Sequence, residues 1–138
     1  MELNSKIWFN YFKFIIITIS LYYPKYPNDV SKKKYYNLIQ NLPVFFPHYP
    51  LGPNLLDFLE FQPLTPYLDS RESFIKWVYL MINKLNKDMG EKQNTFETFL
   101  KNYYKKYKPP PKKNLIKKTM YSSLFILILF ILIFINFL

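Results

Sequence analysis

The segment Asp69–Gly90 constrains the fold most, because it has the pattern of one long helix with both ends marked. Asp69 and Glu72 have the spacing of a capping box, in which the two side chains satisfy free backbone N–H groups of the first turn. Gly90 suits the left-handed turn that commonly ends a helix. Apolar residues recur between these ends at helical spacing and predict a wide buried face. They are Phe74, Trp77, Val78, Met81 and Leu85.

Two amides, Asn83 and Asn86, lie about one turn apart near the end of this helix and project from it together. Amides that become buried in a core need hydrogen-bond partners. Backbone groups or water are the simplest partners for them, and a bound ligand is the alternative.

Two helices are predicted at the start of the chain. Residues 5–22 are mostly apolar, and we interpret them as a buried first helix rather than a targeting segment. Lys13 interrupts the apolar run, and no small-residue cleavage site follows it. A proline-containing break then leads into a short helix over residues 31–42, capped by Asn28, Asp29 or Ser31.

Two more helices flank the central one. Residues 54–61 predict a short helix capped by Asn54. Asn94 and Glu97 repeat the capping-box spacing at the start of a last helix over 95–107. Between 42 and 54, the proline-rich segment Pro43–Pro53 predicts neither regular helix nor strand. No strand pattern is convincing anywhere, so the sequence predicts an all-α bundle of four or five short helices. On the last helix we expect an inner side formed by Phe96, Leu100, Tyr107 and one of Tyr103 or Tyr104.

The absence of cysteine excludes whole classes of chemistry from this chain. None of its 138 residues is cysteine, so it contains no disulfide, thiolate nucleophile or zinc–thiolate site. The chain has one histidine, His48, which argues against a histidine-based metal site or catalytic triad as well. We therefore assign neither catalytic residues nor metal ligands.

The C-terminal part of the chain differs from the rest in composition. Residues 1–108 form the predicted helical domain, residues 109–118 a linker rich in proline and lysine, and residues 119–138 a membrane span. The last 19 residues carry no charge and are apolar all round, and at about 1.5 Å per residue they match the thickness of a bilayer.

The lysines before this stretch predict its orientation. Residues 101–118 contain eight lysines and no acid, which places the folded domain on the cytoplasmic side of a single-pass, tail-anchored protein. Membrane lipid is thus an expected partner. Nucleic acid is not, despite a net charge of +10, because the basic run lies beside the span and has no groove-reading pattern.

The distributed pattern of the first 104 residues resembles the Erv/ALR family of FAD-linked sulfhydryl oxidases. The central helix carries most of the resemblance, and the first helix and the proline-rich segment keep the same frame. The matching residues are Trp8, Tyr23, Pro24, Leu42, Pro43, Pro47, Ser70, Arg71, Trp77, Asn83, Asn86 and Gly90.

The chain departs from the family pattern at the positions that carry its chemistry. His48 and Leu51 occupy the positions of the redox-active Cys-x-x-Cys pair, and Ile17 and Ile82 replace two histidines that contact FAD. Lys13 stands where the family has a second tryptophan, and Glu91 stands where it has a lysine.

The resemblance implies a compact helical bundle cradling FAD, with Trp77, Asn83, Asn86, Ile17 and Ile82 around the cofactor. The resemblance also implies pairing with a second copy or with an Erv/ALR homologue. The chain is similar to membrane-anchored family members in large DNA viruses, so a virion membrane is one expected location. Thiol oxidation by the family mechanism is closed to a chain without cysteine.

Three hypotheses remain from the sequence. The first is a membrane-anchored, Erv/ALR-like protein without thiol oxidase activity that acts as a binding or structural partner. The alternative is an FAD-binding flavoprotein or oxidoreductase that uses a different electron donor. A third is a tail-anchored adaptor whose segment Pro43–Pro53 docks a partner.

Overall fold

Residues 4–46 and 51–108 are described here from a computed structural model. They form five α-helices: α1 Ser5–Leu21, α2 Asp29–Asn41, α3 Leu51–Phe61, α4 Arg71–Asp88 and α5 Phe96–Lys105. Two short 3₁₀ turns, Leu42–Phe45 and Thr65–Asp69, join them. No strand occurs in these two ranges, and the predicted all-α class is confirmed for them.

The chain divides into two compact units, Met1–Lys105 and Lys106–Leu138. All five helices belong to the first unit. The predicted linker 109–118 and the predicted span 119–138 lie outside the described residues, as does His48. Among the residues that are described, no helix is long and apolar enough to cross a membrane.

Helix α4 is the centre of the bundle and packs against α1, α3, α5 and the second 3₁₀ turn. Its predicted apolar face is confirmed, since all five of its residues named above are fully buried. The Trp77 ring lies 5.3 Å from the Phe58 ring of α3, and its Nε1 donates a hydrogen bond to the Gln62 carbonyl. The indole thereby fills the core and satisfies its one polar atom.

The start of α4 differs from the predicted capping box. The N-cap is Ser70, whose side chain accepts the backbone N–H of Ser73 at 3.1 Å. Asp69 instead ends the preceding 3₁₀ turn, and its carboxylate accepts a hydrogen bond from Lys32 at 2.7 Å. That bond raises the pKa of Lys32. At the other end the prediction is confirmed, because Gly90 has φ of 69°.

The segment Pro43–Pro53 is more regular than predicted. Residues 42–45 form a 3₁₀ turn, and α3 begins at Leu51 rather than at Asn54. Pro53 is tolerated because N–H groups in the first turn of a helix have no partner within it. The cap predicted at Asn54 is therefore wrong. Both ends of the segment Pro43–Pro53 have helical structure, which argues against one irregular docking loop.

The inner side of α5 also differs in detail from the prediction. Phe99 and Tyr103 are its buried residues, whereas Phe96, Tyr104 and Tyr107 are exposed by 40%, 52% and 60%. Thr95 caps the helix by accepting the N–H of Thr98 at 3.2 Å, so the predicted capping role of Asn94 is wrong. The buried face of α5 is therefore centred on the i, i+4 pair Phe99 and Tyr103 rather than on Phe96 and Tyr107.

Tyr23 joins the end of α1 to the start of α4. Its ring is fully buried, 4.6 Å from the Tyr35 ring and 5.0 Å from the Phe74 ring, and its hydroxyl donates to the Leu68 carbonyl at 2.7 Å. Arg71 donates to the Tyr23 carbonyl from its Nε. Burial, followed by the neighbouring Tyr35 and Asp69, raises the pKa of Tyr23 above its usual 10.0.

We expect Tyr23→Phe to lower stability by about 1 kcal/mol at neutral pH, because it removes the bond to Leu68. A raised pKa in the folded state stabilises the fold fully below the unfolded value of about 10, and this stabilisation is lost as the pH rises through the folded value. The difference between wild type and Tyr23→Phe should therefore shrink above pH 10 in thermal melts. A difference that stays constant or widens there would contradict the shifted tyrosine.

Candidate functional site

The five residues predicted to surround FAD do not converge on one open pocket. Ile17 on α1 and Trp77 and Ile82 on α4 lie in the buried core, with exposed fractions of 7%, 0% and 2%. The two amides of α4 point to different neighbours. Asn83 contacts the segment before α5, and Asn86 contacts α1.

The Asn83 amide fixes the segment that leads into α5. Its Nδ2 donates to the Asn94 carbonyl at 2.8 Å, and its Oδ1 accepts the Asn94 backbone N–H at 3.0 Å. Gln93 adds a longer bond, from its Nε2 to the Asn83 carbonyl at 3.4 Å. Backbone partners thus satisfy Asn83, in agreement with the simplest expectation from the sequence.

The Asn86 amide belongs to a charged cluster that the sequence did not predict. Asn86 is 2% exposed, and its Oδ1 lies 3.2 Å from Lys13 Nζ. The same ammonium lies 2.7 Å from Glu91 Oε2 and 4.6 Å from the centre of the Phe9 ring. We call Lys13, Asn86 and Glu91 the Lys13 cluster. It joins the middle of α1 to the end of α4.

The Lys13 cluster explains two departures from the family pattern at once. Lys13 and Glu91 stand where that pattern has tryptophan and lysine, and here the two side chains form an ion pair. Both are largely shielded, with side-chain exposures of 17% and 28%. The signal in the sequence was a lone lysine within the apolar run of residues 5–22, but nothing there identified its partners.

A second contact closes α1 against α5. The Thr18 hydroxyl donates to the Phe14 carbonyl at 2.9 Å, so it is the acceptor in its 2.8 Å bond with the Tyr103 hydroxyl. The Phe14 and Tyr103 rings stack, with their centres 5.3 Å apart. Of the two tyrosines left open by the sequence, Tyr103 is therefore the one that faces α1.

FAD, the cofactor that the resemblance implies, does not fit these residues as they are arranged. Cofactor sites are concave and present a few convergent polar groups to the ligand. Here Trp77 and Ile82 are closed into the core, and both amides bind groups of the chain itself. In the described part of the chain, the buried side-chain polar atom without a partner is Trp8 Nε1, beside Phe46 rather than within this set.

The position of the family's second cysteine is also closed. Leu51 begins α3 and is 1% exposed, so it contributes to the core. A leucine carries no electrons from a thiol, and no cysteine elsewhere in the chain replaces it. The arrangement contains no dithiol and no site where one forms.

A stripe of exposed apolar side chains runs along the outer face of α1. We call Ile7, Tyr11, Ile15 and Tyr22 the α1 stripe, and their exposed fractions are 59%, 68%, 55% and 79%. Their spacing of four, four and seven residues keeps them on one side of the helix. Single exposed apolar residues are ordinary, but four of them on one side of a helix are typical of an interaction surface.

Together, the described residues define a small all-helical bundle with a closed interior and an apolar outer helix. Solved structures show which fold this is. The chain is similar to the yeast Erv1 core, with a TM-score of 0.66, 16% identity, and coverage of 75% of this chain and 86% of that one. A cysteine-to-serine mutant of Erv1 from Saccharomyces cerevisiae gives the same values. The chain thus has an Erv/ALR-type fold. No protein-family model and no curated protein matches its sequence.

Proposed function

We propose that this protein is a non-enzymatic member of the Erv/ALR type, anchored in a membrane through residues 119–138, that serves as a binding partner. The observation that carries the proposal is the α1 stripe on a scaffold whose interior is filled by its own side chains. The α1 stripe is therefore a surface for binding another protein, whereas the described part of the interior presents no catalytic group.

The absence of cysteine removes the family reaction from consideration. Thiol oxidation passes two electrons through a dithiol that becomes a disulfide, and this chain supplies neither sulfur. The protein thus shares the Erv/ALR-type fold but lacks the cysteines that the family reaction requires.

The partner we assign to the α1 stripe is a second copy of the chain, in an antiparallel pair of α1 helices. The stripe extends over about 22 Å, which suits a helix–helix contact at the centre of an ordinary interface. Helix α1 carries no acid, and Lys6 is its exposed cation. An antiparallel arrangement keeps the two Lys6 ammonium groups at opposite ends, so the apolar centres meet without repulsion.

A cysteine-free chain allows a direct test of this pairing. Ile15→Cys, near the middle of the stripe, should form an intermolecular disulfide under mild oxidation, because no other thiol competes. Adding Tyr11→Lys should weaken the association by about 30-fold or more and abolish the covalent dimer, since it buries a charge in the contact. The measurement is the dimer fraction on a non-reducing gel.

Tyr26 supplies the matched control, because it is 85% exposed and lies outside α1. Tyr26→Cys should give no covalent dimer on the gel, and Tyr26→Lys should leave the Ile15→Cys cross-link intact. Equal cross-linking at positions 15 and 26 would contradict a specific α1 interface. Pairing that appears only when an Erv/ALR homologue is added would assign the stripe to a heterodimer instead.

Membrane extraction of the full chain tests the proposed anchor. We expect the full chain to stay in the membrane fraction after alkaline carbonate extraction and to be released when residues 119–138 are deleted. The lysines of residues 101–118 predict that the helical domain is accessible to protease from the cytoplasmic side. Release of the full chain by carbonate would overturn the anchor.

The alternative function, an FAD-binding flavoprotein with another electron donor, is supported by the fold alone. It requires the contacts of Asn83 and Asn86 to reopen for the cofactor. Our proposal predicts that the full chain purifies colourless from cells supplied with FAD, and a flavin absorption spectrum in the purified protein would favour the alternative.

A further inference from the structure

A groove between α4 and α5 lies apart from the α1 stripe and from the family's cofactor positions. Its cavity volume is about 560 Å³, and its lining is almost entirely apolar. Four residues of α4, spaced over two turns, form one wall, and two residues of α5 form the other. The lining residues are Glu72, Ile75, Lys76, Tyr79, Phe96 and Leu100.

The walls of this groove are held in place by specific contacts. The Tyr79 ring meets the Phe96 and Phe99 rings edge-on, with centres 5.3 and 5.5 Å apart. The Asn83–Asn94 hydrogen bonds fix the start of α5. Phe96 nevertheless remains 40% exposed, which leaves a large aromatic surface at the mouth of the groove.

The rim carries two opposite charges that do not pair with each other. Glu72 and Lys76 are exposed and spaced i, i+4, yet neither side chain makes a hydrogen bond or ion pair within the described part of the chain. The same spacing does produce a pair further along α4, where Lys84 and Asp88 lie 2.6 Å apart. The two rim charges are thus available to a partner.

We propose that the groove docks the same groove of a second copy of this chain, through a two-fold axis that sets Glu72 of each copy against Lys76 of the other. A two-fold interface brings one patch against itself, so a patch with one charge of each sign is complementary to its own copy. Antiparallel α4 helices that cross between residues 72 and 76 satisfy all four charges. The exposed Phe96 rings then cover the apolar floor.

Charge distinguishes this occupant from other partners. The chain as a whole carries +10, which favours acidic partners in general. An acidic peptide in this groove would meet the Glu72 carboxylate, and a basic one would meet the Lys76 ammonium. A partner with one charge of each sign at the same spacing satisfies both rim charges, and a second copy of the chain has this pattern.

This interface is independent of the α1 stripe, so we test it in the full-length Tyr11→Lys background, where α1 pairing is removed. That protein in detergent should still form a dimer in sedimentation equilibrium. Glu72→Lys and Lys76→Glu should each weaken the dimer by about tenfold or more, because each sets like charges against each other across the axis.

Mixing the Glu72→Lys and Lys76→Glu variants is the decisive experiment. One variant then has two positive rim charges and the other two negative ones, so the mixture should form a heterodimer of near wild-type affinity. The double variant E72K/K76E should also dimerise, since it restores complementarity with itself. Circular dichroism melts of each variant confirm that the bundle remains folded.

Three results would overturn the proposal. They are a Tyr11→Lys background that is monomeric at every concentration tested, single variants that dimerise as well as their parent, and a mixture that fails to recover. Binding of an unrelated protein that the double variant loses would assign the groove to that protein. Failure of the α1 cross-link would leave these outcomes unchanged, so the two interfaces stand or fall separately.

Discussion

Replacing Trp77 with alanine should destabilise the helical unit by about 3–5 kcal/mol, the range measured for large-to-small changes at fully buried aromatic sites. Trp77 is 0% exposed at the centre of α4 and contacts α3 through Phe58 and Gln62. A domain of this size has a total stability of about 5–15 kcal/mol, so most of it would be lost. Trp77→Phe should cost less, because it keeps the ring contact and loses the bond to Gln62.

The other tryptophan is the matched control for this result. Trp8 on α1 is half-buried, and its ring packs 5.4 Å from the Phe46 ring. Among the residues that the structure describes, its Nε1 has no hydrogen-bond partner. Trp8→Ala should therefore cost about 1–2 kcal/mol, the value of a partly buried aromatic contact without a hydrogen bond. Urea unfolding of the full chain, followed by circular dichroism, measures both. A larger loss at Trp8 than at Trp77 would contradict the central position of α4.

Helix periodicity predicted the bundle well because the core is built from long amphipathic segments. The buried face of α4 and the glycine stop at Gly90 followed directly from spacing. The ends of helices were less predictable, since Asp69, Ser70, Asn94 and Thr95 all suit a cap. Which one caps depends on contacts distant in sequence, such as the Lys32 ammonium that binds Asp69.

The candidate site was less predictable than the fold. The resemblance identified the positions of Ile17, Ile82 and Asn86, but the cofactor that it implies does not fit these side chains as they are arranged. The Lys13–Glu91 pair joins residues far apart in sequence, and neither residue has a local pattern that indicates the other. The α1 stripe was equally hard to predict, because a mostly apolar helix does not reveal which of its apolar sides faces solvent.

The Lys13 cluster gives the second large effect. Glu91→Gln should destabilise the fold by about 2–3 kcal/mol, because it leaves the Lys13 ammonium shielded from water without a countercharge. The value is below that of a fully buried pair, since the two side chains keep exposures of 17% and 28%. Replacing both Lys13 and Glu91 by methionine should recover much of the loss, because no unpaired charge then remains.

Asp88 provides the control, since it also pairs with a lysine at 2.6 Å but through an i, i+4 contact with the more exposed Lys84. Asp88→Asn should change stability by about 0.5 kcal/mol or less. Thermal melts at low and high salt separate the two pairs, because screening acts mainly on exposed charges. Equal losses for Glu91→Gln and Asp88→Asn would mean that the Lys13 cluster is an ordinary surface contact. A larger, salt-insensitive loss at Glu91 would mean that this ion pair holds α1 against α4 where the family pattern has tryptophan and lysine.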